Sequence, residues 1–257
     1  MKQIFLFVGL MILAASALAD PAIIKGRNIA EKMDQRDRGF NDYKADVSMM
    51  LENRAGKTRQ LQMDIRVLEE ADPLEKSLIR FSSPRDIDGT AVLTYANRSR
   101  EDDQWLFLPS VKRVKRISSA NRSGAFVGSD FSYEDLVRQD VDKYSYRFIK
   151  QESCSGLTCL IVERKPKNPG SGYSKQLLWV DSVLYRPMRI EFFDRGGKAL
   201  KTLDYLDYKV YLKDFWRPGK MVMQNLQSGN STVLTWKNYQ FSTGLTESDF
   251  AVAKLAR

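Results

Sequence analysis

The sequence of 257 residues contains no histidine and only two cysteines. Without histidine there is no Ser-His-Asp or Cys-His nucleophile system and no H-E-x-x-H zinc site. The commonest general base near neutral pH is missing as well. Cys154 and Cys159 cannot alone complete a tetrahedral structural zinc site. Walker and G-x-G-x-x-G loops are absent, so nucleotide binding has no support. No metal or cofactor is expected. Beyond residue 19 no apolar run approaches the ~20 residues that a membrane-spanning helix needs. Two kinds of function survive: binding driven by apolar burial, or hydrolysis by carboxylates alone.

What is present begins with an export pattern. In "MKQIFLFVGLMILAASALAD", Lys2 precedes an apolar stretch, and Ala17-Leu18-Ala19 forms a small-residue cleavage site. Residues 1–19 read as a signal peptide cleaved after Ala19, which places the protein in the periplasm. A retained anchor is the rival reading, for which the apolar stretch is short. No cysteine follows the cut, so a soluble protein without a lipid anchor is expected. Residues 20–257 show no linker, repeat or low-complexity block and read as a single domain. Cys154 and Cys159 flank "SGLT", a turn between two strand-like runs; the readings are a disulfide across a hairpin end or a pair of free thiols. The net charge of +9 suits anionic partners. Export leaves phospholipid headgroups and acidic proteins, with peripheral membrane contact, and no nucleic acid.

Residues 21–38 have apolar positions at helical spacing, with Pro21 in the first turn and Gly39 as a stop. Period two then takes over. Ala45, Val47, Met49 and Leu51 share one face, and Leu61, Met63, Ile65 and Val67 share another, with "NRAGK" as the turn between them. Further strand-like runs follow to residue 241. "DDQWLFLPS" is apolar on both faces through Trp105, Leu106, Phe107 and Leu108, so its second side must be covered. This pattern predicts a mainly β protein with a few helices: a strongly curved antiparallel sheet or half-open β-barrel, its concave face plugged by helices. A packed sandwich is the structural rival.

Two motifs invite chemistry. In "FVGSDFSYEDL" (residues 126–136), Ser132 and Asp135 have the spacing of a capping box, and Glu134 and Asp135 fall in a first helical turn. Ser129, Asp130, Phe131, Ser132, Tyr133 and Asp135 therefore read as the start of a plug helix or gate. A catalytic reading would pair Asp130 with Glu134 or Asp135, but neighbours on one short helix poorly match two carboxyls facing across a cleft. In "VKRVKRIS", Lys112, Arg113, Lys115 and Arg116 leave neither strand face apolar, which predicts an edge or rim. They form either a solvated rim or a site for an anionic headgroup or acidic partner.

"WLFLPSVKRVKRIS" followed by "FVGSDFSYEDL" resembles the signature of the outer membrane lipoprotein-sorting-like proteins, relatives of the periplasmic lipoprotein carrier and its outer-membrane receptor. "RFSSPRDIDGTAVLTY" (80–95) is similar to the preceding segment of that family, and "LYRPMRIEFFDRGGKALKTLDY" (184–205) to a later strand pair. The resemblance implies a half-open, bent β-barrel whose cavity holds acyl chains. It also implies a non-enzymatic carrier of a lipid, a lipoprotein acyl chain or another hydrophobic ligand. An inner-membrane exporter of the resistance-nodulation-division type is an implied partner. The alternative within this frame is an accessory subunit that docks such a transporter without cargo. The residues expected to face the cavity are Val47, Met49, Leu61, Met63, Ile65, Leu93, Tyr95, Trp105, Phe107, Met188, Ile190 and Phe192.

Overall fold

The computed structural model describes residues 20–256 apart from 72–73, 99 and 119–120; the predicted signal peptide lies outside them. Helix α1 (Pro21–Arg36) opens on Asp20, whose carboxylate accepts the Ala22 N–H at 2.8 Å. That bond satisfies one of the donors a helix start leaves unpaired. The helix ends two residues short of the predicted end at residue 38, because the Asp37 N–H folds back onto the carbonyls of Asp34 and Gln35.

Six antiparallel strands follow: β1 (Asp42–Glu52), β2 (Thr58–Glu69), β3 (Glu75–Ser83), β4 (Ala91–Ala96), β5 (Asp103–Leu108) and β6 (Arg113–Arg116). After a long connection come β7 (Tyr144–Cys154), β8 (Leu157–Pro166), β9 (Tyr173–Asp181), β10 (Pro187–Asp194), β11 (Ala199–Leu206), β14 (Lys220–Asn225) and β15 (Ser231–Phe241). Together they form one sheet of 13 strands in the order β6-β5-β4-β3-β2-β1-β15-β14-β11-β10-β9-β8-β7. It is strongly curved but not closed. The run 199–211 reads as one strand in the sequence but breaks at Asp207 (φ 55°). Beyond the break, β12 (Lys209–Tyr211) and β13 (Phe215–Arg217) make a separate hairpin.

Helix α1 lies against β7 on the inner side. Gly26 permits the contact: a Cβ there would stand 2.7 Å from the Phe148 nitrogen. Around Ile29 and Ala30 of the helix, the inner core gathers Val47, Met49, Leu61, Met63, Phe81, Phe126, Phe131, Leu178, Ile190 and Phe192. Each fully buried side chain of this kind contributes about 1.5–3 kcal/mol. The outer face carries a second core, where Leu78, Leu93 and Phe107 meet Phe250 and Leu255 of the C-terminal segment. This segment is the cover that the two-faced strand β5 requires. The Tyr95 hydroxyl donates to the Phe250 carbonyl at 2.7 Å. Tyr95→Phe is expected to cost about 1 kcal/mol, read as a shifted urea midpoint; an unshifted midpoint would remove this bond from the account of how the segment is held.

Cys154 and Cys159 are joined by a disulfide at the end of the β7–β8 hairpin, five positions apart. Closing so short a loop restricts the unfolded chain modestly, by about 2 kcal/mol. Replacing both cysteines with serine should lower unfolding stability by that amount. An equal denaturation curve for the double variant and the oxidised parent would contradict it.

Candidate functional site: a cavity on the inner face

Between α1, the connection around Leu136–Val141 and the β12–β13 hairpin, the inner face leaves a cavity of about 450 Å³. Its floor is Tyr146, Arg164, Leu178, Ile190, Tyr205 and Met221 from six different strands; Ala30 and Met33 of α1 form one wall. Tyr185, Arg186, Trp216 and Arg217 also line it, and Arg36 and Asp214 in the lining are exposed. The lining mixes aromatic and aliphatic side chains with ten charged ones, in a volume within the ~300–1,000 Å³ range of pockets that take small ligands.

The charges are organised. Arg217 reaches Asp37 at 2.5 Å and lies over the Phe40 ring at 5.1 Å. The Arg186 guanidinium is held at 3.2 Å by Asp181 and sits between the rings of Tyr208 and Trp216, at 4.4 and 4.6 Å. Arg138 approaches Asp34 at 3.1 Å, Glu69 at 3.6 Å and Glu75 at 3.9 Å. Burial pushes the Glu75 carboxyl up to about 7 against the opposing Arg138 charge. Arg164 donates to the Gln176 amide oxygen at 2.5 Å and lies 4.8 Å from the Tyr144 ring. Burial raises the Tyr144 hydroxyl to about 12.

The segment 126–136 folds as a loop, not as the start of an α-helix. Ser132 and Asp135 do form a capping box, with Asp135 accepting the Ser132 N–H at 2.7 Å, but it opens only a four-residue 3-10 turn, Tyr133–Leu136. Val137 is already extended (φ −95°, ψ 139°). Phe126 and Phe131 are buried in the inner core, where Phe126 meets Phe81 and Tyr133 at 5.7 Å each. Each acid has a partner within the protein. Asp130 accepts from Thr232 at 2.9 Å, and Glu134 from Ser171 and from the Gly172 N–H at 2.8 Å each. Asp135 binds Lys201 and Tyr173 at 2.7 Å each. Ser132 contacts the Tyr173 hydroxyl at 3.1 Å, and the Ser129 hydroxyl donates to the Phe126 carbonyl at 2.6 Å. A smaller space of about 330 Å³ beside this loop has Ser129, Asp130, Ser132, Tyr173 and Lys201 along its wall.

The twelve residues expected in the cavity divide three ways. Val47, Met49, Leu61, Met63, Ile65, Ile190 and Phe192 are on the inner side, yet among them only Ile190 lines the cavity; the others fill the core beside it. Leu93, Tyr95, Trp105 and Phe107 are corrected to the outer face, under the C-terminal segment. Val92 and Leu106 take the inward positions on those strands. Met188 is corrected as well. A register shift between Pro187 and Arg189 takes it out of alternation, and it lines a separate space of about 510 Å³ with Trp179, Arg189 and Asp204. In the cationic run, Arg113, Lys115 and Arg116 lie on β6, a terminal strand of the sheet that is exposed along its length. Lys112 is corrected from the strand to a left-handed turn position (φ 49°) before it. Arg116 pairs with Asp103.

Arg164, Tyr146 and Tyr205 are cavity residues that the sequence reading missed. The alternation of "LIVER" contains the signal: Leu160, Val162 and Arg164 share a face, so the arginine is in register with core positions.

An open, curved antiparallel sheet with a helix in its concavity and a cavity beneath the helix defines a β-barrel-like scaffold built around an internal space. The chain belongs to the outer membrane lipoprotein-sorting-like family. It is 43% identical to an outer membrane lipoprotein-sorting protein domain from Vibrio parahaemolyticus, covering 91% of this chain and 100% of that one, with a TM-score of 0.90. A DUF1329 family protein from Desulfovibrio piger is 29% identical over 91% of this chain and 99% of its own, with a TM-score of 0.86. A LolA superfamily protein, NE2245 from Nitrosomonas europaea, shares the fold at 24% identity, with coverage of 89% and 98% and a TM-score of 0.71. A family described as "Uncharacterized protein" matches residues 73–257. No curated protein matches the chain.

Proposed function

We propose that the chain is a non-enzymatic periplasmic carrier, holding a lipid, a lipoprotein acyl chain or a similar hydrophobic ligand in the inner cavity. The observation that carries this reading is the cavity itself: a space beneath α1 with an aromatic and aliphatic floor and charged groups around it, in a family whose solved relative is described as a lipoprotein-sorting domain. Removal of residues 1–19 would deliver residues 20–257 to the periplasm as one unit. Transfer of apolar ligand would be driven by burial, at ~0.8 kcal/mol per CH₂. The carboxylates of the 126–136 loop support the carrier over a hydrolase, because each is committed to a partner within the fold. Protein purified from a membrane-containing host should release lipid on organic extraction, and should bind the neutral probe N-phenyl-1-naphthylamine. Clean extracts together with no probe fluorescence would sink the carrier.

A second reading is favoured by one observation. Strand β6 is an exposed terminal strand, and among the described residues Lys112, Arg113 and Lys115 have no ion-pair partner. They suit an acidic surface on a membrane exporter, which the chain would dock without cargo. Arg113→Glu with Lys115→Glu should then abolish co-purification of the exporter and leave probe binding unchanged; retained co-purification would rule this docking surface out.

A further inference from the structure

The inner cavity contains a buried charge that the protein does not neutralise. Arg164 projects from the inner face of β8 and is 9% exposed. Three half-buried arginines around the cavity each face a carboxylate: Arg138 faces Asp34, Arg186 faces Asp181 and Arg217 faces Asp37. Asp135, also in the lining, is neutralised by Lys201 at 2.7 Å. Arg164 has no carboxylate within ion-pair distance among the described residues; its contacts are the neutral Gln176 amide and the Tyr144 ring. A cation over a ring gains something, but it keeps its whole charge. A buried, unneutralised guanidinium is costly unless an anion meets it.

Two hydroxyls accompany it. Tyr146 is the cross-strand neighbour of Arg164 in the β7–β8 ladder, and Tyr205 comes from β11; both line the cavity. Neither hydroxyl has a hydrogen-bond partner among the described residues. Burial raises both, and the Arg164 charge opposes the rise in each, so both are neutral donors at physiological pH. One guanidinium with no carboxylate partner and two phenol donors, beside charges that are paired within the protein, are the groups that a carboxylate or phosphate oxygen requires.

We propose that Arg164, with the Tyr146 and Tyr205 hydroxyls, binds the anionic head of a single-tailed amphiphile, a carboxylate or phosphate monoester, inside the inner cavity. The apolar tail then lies along Leu178, Ile190 and Met221 toward the rim. The proposal rests on the carrier reading and specifies its ligand as an anion that enters head first.

The test is a fluorescence titration with cis-parinaric acid, its carboxylate ionised, against its uncharged methyl ester. The parent protein should bind the acid at least about tenfold more tightly than the ester. Arg164→Gln should weaken the acid about 10- to 100-fold, the effect of losing a hydrogen bond to a charged group, and leave the ester unchanged. Tyr146→Phe with Tyr205→Phe keeps both rings in place and should weaken the acid several-fold, so the prediction does not depend on the arginine variant folding. Equal binding of acid and ester by the parent overturns the anion site and leaves the carrier standing. Binding of neither overturns both. Displacement of the acid by inorganic phosphate alone would show a site for a free anion, and would overturn the amphiphile.

Discussion

Replacing Lys201 with methionine is expected to lower unfolding stability by about 3–5 kcal/mol. The Lys201 ammonium bonds to the Asp135 carboxylate at 2.7 Å and to the Asp130 carbonyl at 2.8 Å, and both side chains of the pair are at most 5% exposed. Asp135 also accepts the Tyr173 hydroxyl and the Ser132 N–H. Removing the lysine leaves a carboxylate charged, buried and without its counter-ion, which costs far more than the net worth of the pair. A second substitution, Asp135→Asn, should restore part of the loss by removing the stranded charge. Chemical unfolding of the parent and both variants decides the matter. A loss below about 1 kcal/mol for Lys201→Met would mean that water reaches the pair and that the loop is held by its aromatics alone. The 126–136 loop would then be secured by Phe126 and Phe131, not by its acids.

The second large effect is a dependence of stability on pH set by Glu75. Its carboxyl is raised to about 7 by burial; Arg138 and Arg217 oppose the shift, while Asp37 and Glu69 add to it. A raised carboxyl binds its proton more tightly in the folded state than in the unfolded chain, where an ordinary glutamate titrates near 4.5. The stability it contributes is therefore full below about pH 4.5 and is lost as pH rises through 7. That gap corresponds to about 3 kcal/mol. Glu75→Gln keeps the shape and removes the titration, so the difference between parent and variant should grow in favour of the variant across this window. Parallel stability curves from acid to neutral pH would show that Arg138, 3.9 Å away, holds the carboxylate ionised throughout. Because Glu75 lines the inner cavity, the same titration places a negative charge on its wall near neutral pH.

Much of the sheet is legible in the alternation. The first hairpin is legible, with the turn "NRAGK" falling between β1 and β2, because one face is dry and the other wet. Where both faces are dry, alternation tells which residues share a side but not which side is inward. Leu93, Tyr95, Trp105 and Phe107 read as inward for that reason, and the deciding element, Phe250 and Leu255, is more than 140 positions away in the chain. The capping box at Ser132 is legible too, but local spacing could not show that the helix would end after one turn. Arg164 and Lys201 each alternate with apolar residues, Val162 in one strand and Leu203 in the other. A charged residue in register with a core face requires a partner, and finding that partner takes the fold.

The pairing of β1 with β15 has a consequence for assembly. It joins Tyr43 to Phe241 and Glu52 to Ser231, so the strand nearest the start of the described chain is completed by one near its end. The six strands before the 126–136 loop and those after it are two meanders, and this pairing is their seam. Loop closure over so long a stretch is slow. Until residues 231–241 arrive, one edge of β1 carries unpaired backbone groups, an open template for any other chain. A chain synthesised N-terminus first exposes that edge until its last strand is made. The period of greatest aggregation risk is therefore built into the order of its strands.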